Sequence, residues 1–200
     1  MYTHFRVVKV ARPKSEEKRN AILSAAIEVF AERGLSAATS AISGAAGVAE
    51  GTLFTYFKTK DDLINALYRE IKLELADAMM SGFPRRAGIR DRMQHVWNQY
   101  LTWGVKKPSQ HKALQQMTVW GGLTKESKHA GTAPFVEIEK MAEAAVAQHV
   151  FLDRPLEFIA AAMSALADTT MDFMRRDPKQ SEMYRKQGFE MLWAGITRKK

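Results

Sequence analysis

The sequence predicts an all-α protein, and three observations support this fold class. Apolar residues recur at steps of three and four along almost all of the 200-residue chain, no segment shows the alternation of a half-buried strand, and Gly or Pro separates the periodic segments. The first periodic segment runs from Ser15 to Arg33, with Glu16 and Glu17 in its first turn and Gly34 directly after it. We therefore expect a long first helix.

Two short helical segments and one long helix follow. The short segments, TSAISGAA and AEGTLFTYF, are separated by Gly47, and the long helix begins at the start signal Thr59-Lys60-Asp61-Asp62 and ends at Gly82-Phe83-Pro84. The polar segment TKESKHAGTAP is expected to be a loop. Five further helices are predicted over residues 88–106, 109–121, 134–150, 155–175 and 180–197. The chain is thus expected to join a small N-terminal three-helix domain to a larger helical bundle, with about nine helices in all.

Composition and charge narrow the classes of function. The chain has 30 Lys and Arg residues against 22 Asp and Glu residues, a formal net charge of +8, which favours polyanionic partners such as nucleic acid or an anionic membrane surface. No run of about 18 uncharged apolar residues could cross a bilayer, and the first residues do not read as a secretory signal. The absence of cysteine excludes disulfides and thiol catalysis and fits a reducing compartment. We therefore expect a cytoplasmic protein.

The stretch GAAGVAEGTLFTYFKTKDDL, residues 44–63, is rich in glycine but does not fit a catalytic phosphate-binding loop. A Walker-type loop needs the pattern G-x-x-x-x-G-K-[ST] after a strand, whereas Gly51 is followed by Thr52 and no strand is predicted before it. The stretch fits two short helices that meet at Gly47, where a tight turn favours a residue without Cβ. The two helices can approach closely because small residues surround the turn: Ala45, Ala46 and Ala49. This pattern predicts a helix-turn-helix.

The segment TSAISGAAGVAEGTLFTYFKTKDDL resembles the DNA-binding signature of the tetracycline-repressor (TetR) family, which runs T-x-x-I-A-x-x-A-G-V-S-x-G-T-L-Y-x-[HY]-F-x-x-K-x-x-L. The residues that stand in register are Ile42, Ala46, Gly47, Val48, Gly51, Thr52, Leu53, Tyr56, Phe57, Lys60 and Leu63. The sequence departs from the pattern where Ser43, Ala49 and Phe54 replace the usual alanine, serine and tyrosine. The motif covers about residues 15–65, and the rest of the chain is similar only in the number and length of its helices.

The resemblance implies three functional parts. Residues 15–62 would form the helix-turn-helix DNA-binding domain, and residues 63–200 a domain for ligand binding and dimerisation. Residues 1–14 would form a basic N-terminal arm. This arm either strengthens contacts with DNA or is a solvated tail. The basic residues of this arm are Arg6, Lys9, Arg12 and Lys14.

By the same resemblance, Glu50 to Phe57 is the recognition helix that enters the major groove of double-stranded DNA. Leu53 and Phe57 are expected to anchor this helix to the domain core, and Phe54 either packs there too or contacts a thymine methyl group. Phosphate contacts are expected from the start of the preceding helix and from the residues around Lys60. The full set of expected DNA-contact residues is Thr39, Ser40, Glu50, Gly51, Thr52, Phe54, Thr55, Tyr56 and Lys60.

Large aromatic and methionine side chains on the middle helices either fill the core or line an adaptable apolar cavity, which in this family would receive a small effector. The sequence shows no charged cluster suited to a phosphorylated or metal effector, so an apolar or aromatic molecule is expected. The expected effector-contact residues are Trp97, Trp103, Met117, Trp120 and Met163.

The last two helices carry small residues that either pack inside the chain or form the four-helix dimer interface of the family. The expected interface residues are Phe158, Ala161, Ala162, Ala165 and Gly188. No catalytic, metal or cofactor site is expected, because His95, His111, His129 and His149 fall in separate segments without metal-ligand spacing. The resemblance thus implies a homodimeric repressor that leaves a pseudo-palindromic operator when its effector binds, with a helical enzyme or a ligand-independent DNA-binding protein as alternatives.

Overall fold

The computed structural model describes residues 14–198, and its helical architecture confirms the predicted all-α class. The α-helices of this range are α1 (Lys14–Arg33), α2 (Thr39–Ala45), α3 (Glu50–Tyr56), α4 (Lys60–Met80), α5 (Ile89–Lys106), α6 (Pro108–Val119), α7 (Lys125–Thr132), α8 (Val136–Ala147), α9 (Leu156–Arg176) and α10 (Ser181–Ile196). Short 3-10 turns occupy Ala133–Phe135 and Pro178–Gln180. Between residues 14 and 198 the extended backbone forms no strand, only a single antiparallel bridge between Phe151 and Thr197.

Local sequence signals explain where several helices begin and end. Thr59 Oγ1 accepts the backbone N–H of Asp62 at 3.0 Å, and the Thr59 N–H donates to Asp62 Oδ2 at 3.0 Å, so a reciprocal capping box starts α4. Gly34 follows α1 with a φ of 83°, a left-handed conformation that a side chain would strain. Pro108 is the first residue of α6, where its missing N–H removes no helical hydrogen bond.

The segment TKESKHAGTAP, which was predicted to be a loop, contains α7 and a 3-10 turn instead. Thr124 caps α7, because its Oγ1 accepts the N–H of Ser127 at 3.1 Å. Asn65 on α4 accepts the N–H of Thr124 at 2.9 Å, and Gly131 is buried so closely against Tyr68 that a Cβ there would lie 2.5 Å from the ring. Contacts with α4 therefore stabilise a short helix that its polar composition does not predict.

The first three helices form a small N-terminal unit whose core is continuous with that of the larger bundle. Ile22 and Phe30 of α1 are buried with Ile42 of α2 and Leu53 of α3. Helix α4 packs against this unit and then continues into the bundle over 21 residues, a length of about 30 Å. The expected domain boundary between residues 62 and 63 falls in the first turn of α4.

Two sequence expectations concern the termini and the membrane. Residues 1–13, with Arg6, Lys9 and Arg12 of the expected basic arm, lie outside the described residues, and Lys14 is the first residue of α1. Among the helices of residues 14–198, none combines the length and the apolar character needed to cross a bilayer.

Candidate functional site

Helices α2 and α3 meet at a tight turn centred on Gly47. Gly47 has a φ of 67°, the left-handed conformation that only glycine adopts without strain. The N–H of Ala46 donates to the carbonyl oxygen of Ile42 at 2.9 Å, and the N–H of Val48 donates to that of Ser43 at 3.0 Å. These bonds close the end of α2, so the chain can reverse into α3 as the helix-turn-helix prediction requires.

One face of α3 is fixed to the core and the other is exposed. Leu53 and Phe57 are buried, as predicted, whereas 42% of the Phe54 side chain is exposed. The structure therefore resolves the alternative left open for Phe54, which lies on the outer face and not in the core. Of the other expected DNA-contact residues on this helix, the exposed ones are Glu50, Gly51 and Thr55, and the half-buried ones are Thr52 and Tyr56.

Two of the expected DNA-contact residues form a hydrogen bond with each other. Thr39, the first residue of α2, donates from Oγ1 to Oε1 of Glu50, the first residue of α3, at 2.6 Å. Thr55 Oγ1 donates to the carbonyl oxygen of Gly51 at 3.0 Å, so its lone pairs remain free to accept a hydrogen bond. The Thr39–Glu50 bond links the N-termini of both short helices, and Ser40 beside it is exposed. Glu50 therefore has a structural partner in addition to any base it contacts.

The N-terminus of α4 lies directly after α3 and is suited to a phosphate. The capping box uses the N–H groups of Thr59 and Asp62, and within the described residues no hydrogen-bond acceptor faces the N–H groups of Lys60 and Asp61. Lys60 itself is half-buried as the first residue of this 21-residue helix. Free amides, the positive end of the helix dipole and one ammonium group together favour an anion here.

The aromatic and methionine residues expected to contact an effector are mostly packed in the core. Trp97, Trp103 and Met117 are buried, and Trp120 and Met163 are half-buried. The two buried indoles are also bonded inside the chain: Trp97 Nε1 donates to the Arg185 carbonyl oxygen at 3.0 Å, and Trp103 Nε1 donates to Glu74 Oε1 at 3.2 Å. In this conformation these five residues pack as core, and an effector among them would require them to repack.

A buried polar cluster joins α5, α6 and α9 beside these aromatic residues. The sequence analysis did not predict this cluster. His111 Nε2 lies 2.9 Å from Asp168 Oδ1, at ion-pair distance but out of hydrogen-bond alignment. The Tyr100 hydroxyl lies 3.4 Å from Ser164 Oγ and 3.5 Å from His111 Nε2. Burial raises the pKa of Tyr100, so its hydroxyl stays neutral and can donate a hydrogen bond at neutral pH. One sequence signal could have indicated that His111 is buried: it lies three residues before Leu114, on the apolar face of α6.

The bundle also contains a small pocket with several positive charges, which we call the cationic pocket. It has a volume of about 190 Å³ and is lined by Phe83, Arg85, Arg92, Glu137, Lys140 and Met141. The sequence analysis predicted no charged cluster suited to a phosphorylated or metal effector, and it did not foresee that these charged side chains line one pocket. Arg85 and Arg92 are close in the sequence, but Lys140 is 48 positions after Arg92, so the packing of α8 against α5 brings it to the other two.

A second cavity, the α9–α10 groove, lies on the exposed side of the last two helices. It has a volume of about 370 Å³, and its apolar lining includes Phe158, which is 59% exposed, and Met191, which is 65% exposed. The expected interface residues Ala161, Ala162 and Ala165 are exposed on α9 near this groove. Gly188 lies on the opposite face of α10, where a Cβ would approach Thr170 Oγ1 to 2.6 Å and the Trp97 ring to 2.7 Å.

Comparison with known proteins agrees with the helix-turn-helix geometry. Residues 22–67 match the family model of the bacterial regulatory proteins, tetR family. The fatty acid metabolism regulator protein of Bacillus subtilis (strain 168) is 31% identical over 96 residues, which are 48% of this chain and 47% of that protein. The matched part of the chain thus spans about half the length of this curated relative.

Solved structures share the fold over nearly the whole chain. A candidate tetR family transcription regulator from Shewanella sp. PV-4 superposes with a TM-score of 0.81 at 22% identity, over 91% of this chain and 99% of that one. A TetR family transcription regulator from Marinobacter aquaeolei VT8 superposes with a TM-score of 0.79 at 18% identity, over 93% of this chain and 98% of that one. The regulator FadR from B. subtilis, solved in complex with stearoyl-CoA, superposes with a TM-score of 0.65 at 19% identity, over 89% of this chain and 99% of that one. At these identities the similarity establishes the fold.

Proposed function

We propose that the chain is a transcriptional regulator of the tetR family of bacterial regulatory proteins, whose model residues 22–67 match, and that it binds a specific double-stranded DNA operator as a homodimer. In this proposal residues 15–62 bind DNA, and residues 63–200 bind an effector and form the dimer. The protein acts in the cytoplasm as a repressor, and a small effector molecule releases it from a pseudo-palindromic operator. It performs no catalysis.

The exposure pattern of α3 is the observation that carries this proposal. Leu53 and Phe57 are buried in the core and anchor the helix, and Gly51, Phe54 and Thr55 face outward. A helix held in this way can enter the major groove, where Phe54 suits a thymine methyl group and Thr55 can bond to a base edge. The free amides and the ammonium group at Lys60 would then hold a phosphate of the same half-site.

A pseudo-palindromic operator requires two copies of the chain, and the α9–α10 groove supports a homodimer. Exposed Phe158 and Met191 offer apolar surface, and Ala161, Ala162 and Ala165 allow helices of two chains to approach closely. The same patch on each copy would form an isologous interface around a two-fold axis. Two recognition helices would then lie about one DNA turn, roughly 34 Å, apart.

The effector acts by changing the separation of the two recognition helices. A ligand that binds better to a different arrangement of the bundle must weaken DNA binding by the same coupling free energy, about 1–3 kcal/mol or roughly 5- to 150-fold in affinity. Trp97, Trp103, Met117, Trp120 and Met163 are the residues that would repack around an apolar or aromatic effector. The complex of B. subtilis FadR with stearoyl-CoA supports an effector with a large apolar part.

A genome-wide binding map, followed by footprinting of the purified protein, tests this proposal. We expect protection of a pseudo-palindrome with half-sites one turn apart, and Phe54→Ala should lower the affinity for it by roughly tenfold. The matched control is Leu73→Ala, which removes another exposed apolar side chain, on α4, and should leave the affinity unchanged. Sequence-independent protection would instead favour a ligand-independent DNA-binding protein, and turnover by the isolated chain would favour a helical enzyme.

A further inference from the structure

We propose that the cationic pocket is a binding site for a small amphipathic anion. Its acidic group, a carboxylate or a phosphate, bonds to Arg92 and Lys140, and its apolar part lies against Phe83 and Met141. This inference goes beyond DNA binding and does not depend on it.

Three elements of the bundle build the pocket. Phe83 and Arg85 lie in the turn between α4 and α5, and Arg92 lies in the first turn of α5. Glu137, Lys140 and Met141 lie on one side of α8, since they are three and four residues apart. Phe83 and Met141 are buried, so the floor of the pocket is apolar and the charged groups surround it.

The charges around the pocket do not balance. Arg85 is paired with Glu137, whose Oε2 lies 2.9 Å from Arg85 Nε and whose Oε1 accepts from Arg85 Nη2 at 3.1 Å. Arg92 and Lys140 form no ion pair with any residue in the range 14–198. The pocket therefore presents two uncompensated positive charges, which attract an anion from solution.

Arg92 supplies an independent reason for a bound acceptor. Its Nε is buried and has no hydrogen-bond partner among the described residues. A buried guanidinium N–H without an acceptor destabilises a protein, and the planar donor group of arginine matches the oxygens of a carboxylate or a phosphate. A rotation of the Arg92 side chain towards an anion in the pocket would give this N–H an acceptor.

The position of the pocket separates it from the DNA. Lys60 lies in the first turn of α4, directly after the helix-turn-helix, whereas Phe83 follows the last turn of α4, about 30 Å away. A phosphate bound to the helix-turn-helix therefore cannot occupy the pocket.

The size of the pocket limits its ligand. The volume of the pocket, about 190 Å³, is below the 300–1,000 Å³ typical of pockets that hold drug-sized ligands. It suits a short organic acid or the acidic end of a longer one.

Isothermal titration calorimetry of the full chain without DNA tests this inference, with hexanoate, hexan-1-ol and inorganic phosphate as probes at low ionic strength. We expect one hexanoate to bind per chain and the other two probes to bind at least roughly tenfold more weakly, because each lacks either the charge or the apolar part. Equal binding of hexanoate and hexan-1-ol would contradict an anion site. Phosphate binding as strong as hexanoate binding would contradict the role of the apolar floor.

Variants then assign the binding to this pocket. Arg92→Gln should lower hexanoate affinity by roughly tenfold, and Lys140→Gln, at an exposed position that tolerates substitution, should also lower it. Arg86→Gln is the matched control, because Arg86 is exposed in the same turn but does not line the pocket. Circular dichroism checks that every variant is folded. Unchanged affinity in folded Arg92→Gln and Lys140→Gln would overturn the proposal.

Discussion

Gln116 on α6 donates a hydrogen bond of 3.0 Å from Nε2 to the carbonyl oxygen of Phe30, near the end of α1. The same oxygen accepts the N–H of Gly34 at 2.9 Å, so the bond reaches the turn that leads into α2. Ser109 at the start of α6 donates to Glu28 Oε2 at 2.7 Å. Both bonds join the bundle to the helix-turn-helix unit along one face of α6. A shift of α6 must therefore either move α1 or break these bonds.

Gln116→Ala should lower the free energy of unfolding by about 1 kcal/mol, because it removes a half-buried hydrogen bond between the two parts of the chain. Amide exchange should also become faster around Gly34, whose turn loses this support. Denaturant unfolding and hydrogen exchange measure these effects. Gln115→Ala is the control, since Gln115 is also half-buried but has no side-chain hydrogen bond within the described residues. Equal losses in both variants would show that the Phe30 contact contributes nothing.

The Thr39–Glu50 bond should couple the two residues in operator binding. Thr39→Val and Glu50→Gln each disturb the link between α2 and α3, so the double variant should lose less affinity than the sum of the single variants. A double-mutant cycle measured by fluorescence anisotropy on the operator should give an interaction free energy of at least about 0.5 kcal/mol. Strictly additive losses would mean that each residue contacts DNA independently.

Lys60 should contribute one phosphate contact. Lys60→Ala should weaken binding similarly on specific and random DNA, and it should reduce the magnitude of the slope of log K against log salt by about one. Lys179→Ala removes an exposed lysine after α9, far along the chain from the helix-turn-helix, and should leave the slope unchanged. An unchanged slope in Lys60→Ala would remove Lys60 from the interface.

The helices and the helix-turn-helix could be predicted because their signals act over a few residues. Gly47 adopts the left-handed conformation that the turn needs, Thr59 caps α4, and Leu53 and Phe57 are buried at the predicted spacing. Each of these features depends on backbone conformation or on neighbours within one turn of helix. A single sequence therefore contains enough information to specify them.

Features built by distant residues could not be predicted in this way. Helix α7 depends on an Asn65 bond to Thr124, 59 residues away, and its local composition is that of a loop. The approach of His111 to Asp168 and the cationic pocket also require the helices to be packed together. Periodicity predicts that a residue faces a core, but it does not identify which helix it faces.

Gly188 shows this limit and gives a prediction of its own. Its small size was expected to allow close packing, and the packing partners are Thr170 and Trp97 of the same chain. Gly188→Ala should therefore destabilise the fold by about 1–3 kcal/mol through overpacking. Gly44→Ala is the control, because a Cβ there meets no atom within 4 Å and alanine is the better helix former. Thermal unfolding distinguishes the two variants, and equal stabilities would contradict tight packing at Gly188.

The proposed homodimer should depend on the exposed face of α9. Ala162 lines the α9–α10 groove, and Ala165 is exposed one turn further along the helix. Ala162→Arg and Ala165→Arg each place a charge where two apolar faces would meet, and the unpaired charge cannot be desolvated without a large loss of free energy. We expect both variants to be folded monomers by sedimentation and circular dichroism, with reduced operator affinity because two recognition helices no longer bind together. Ala130→Arg, at an exposed site on α7, should remain dimeric. Dimers of native helicity in both α9 variants would place the interface on another surface.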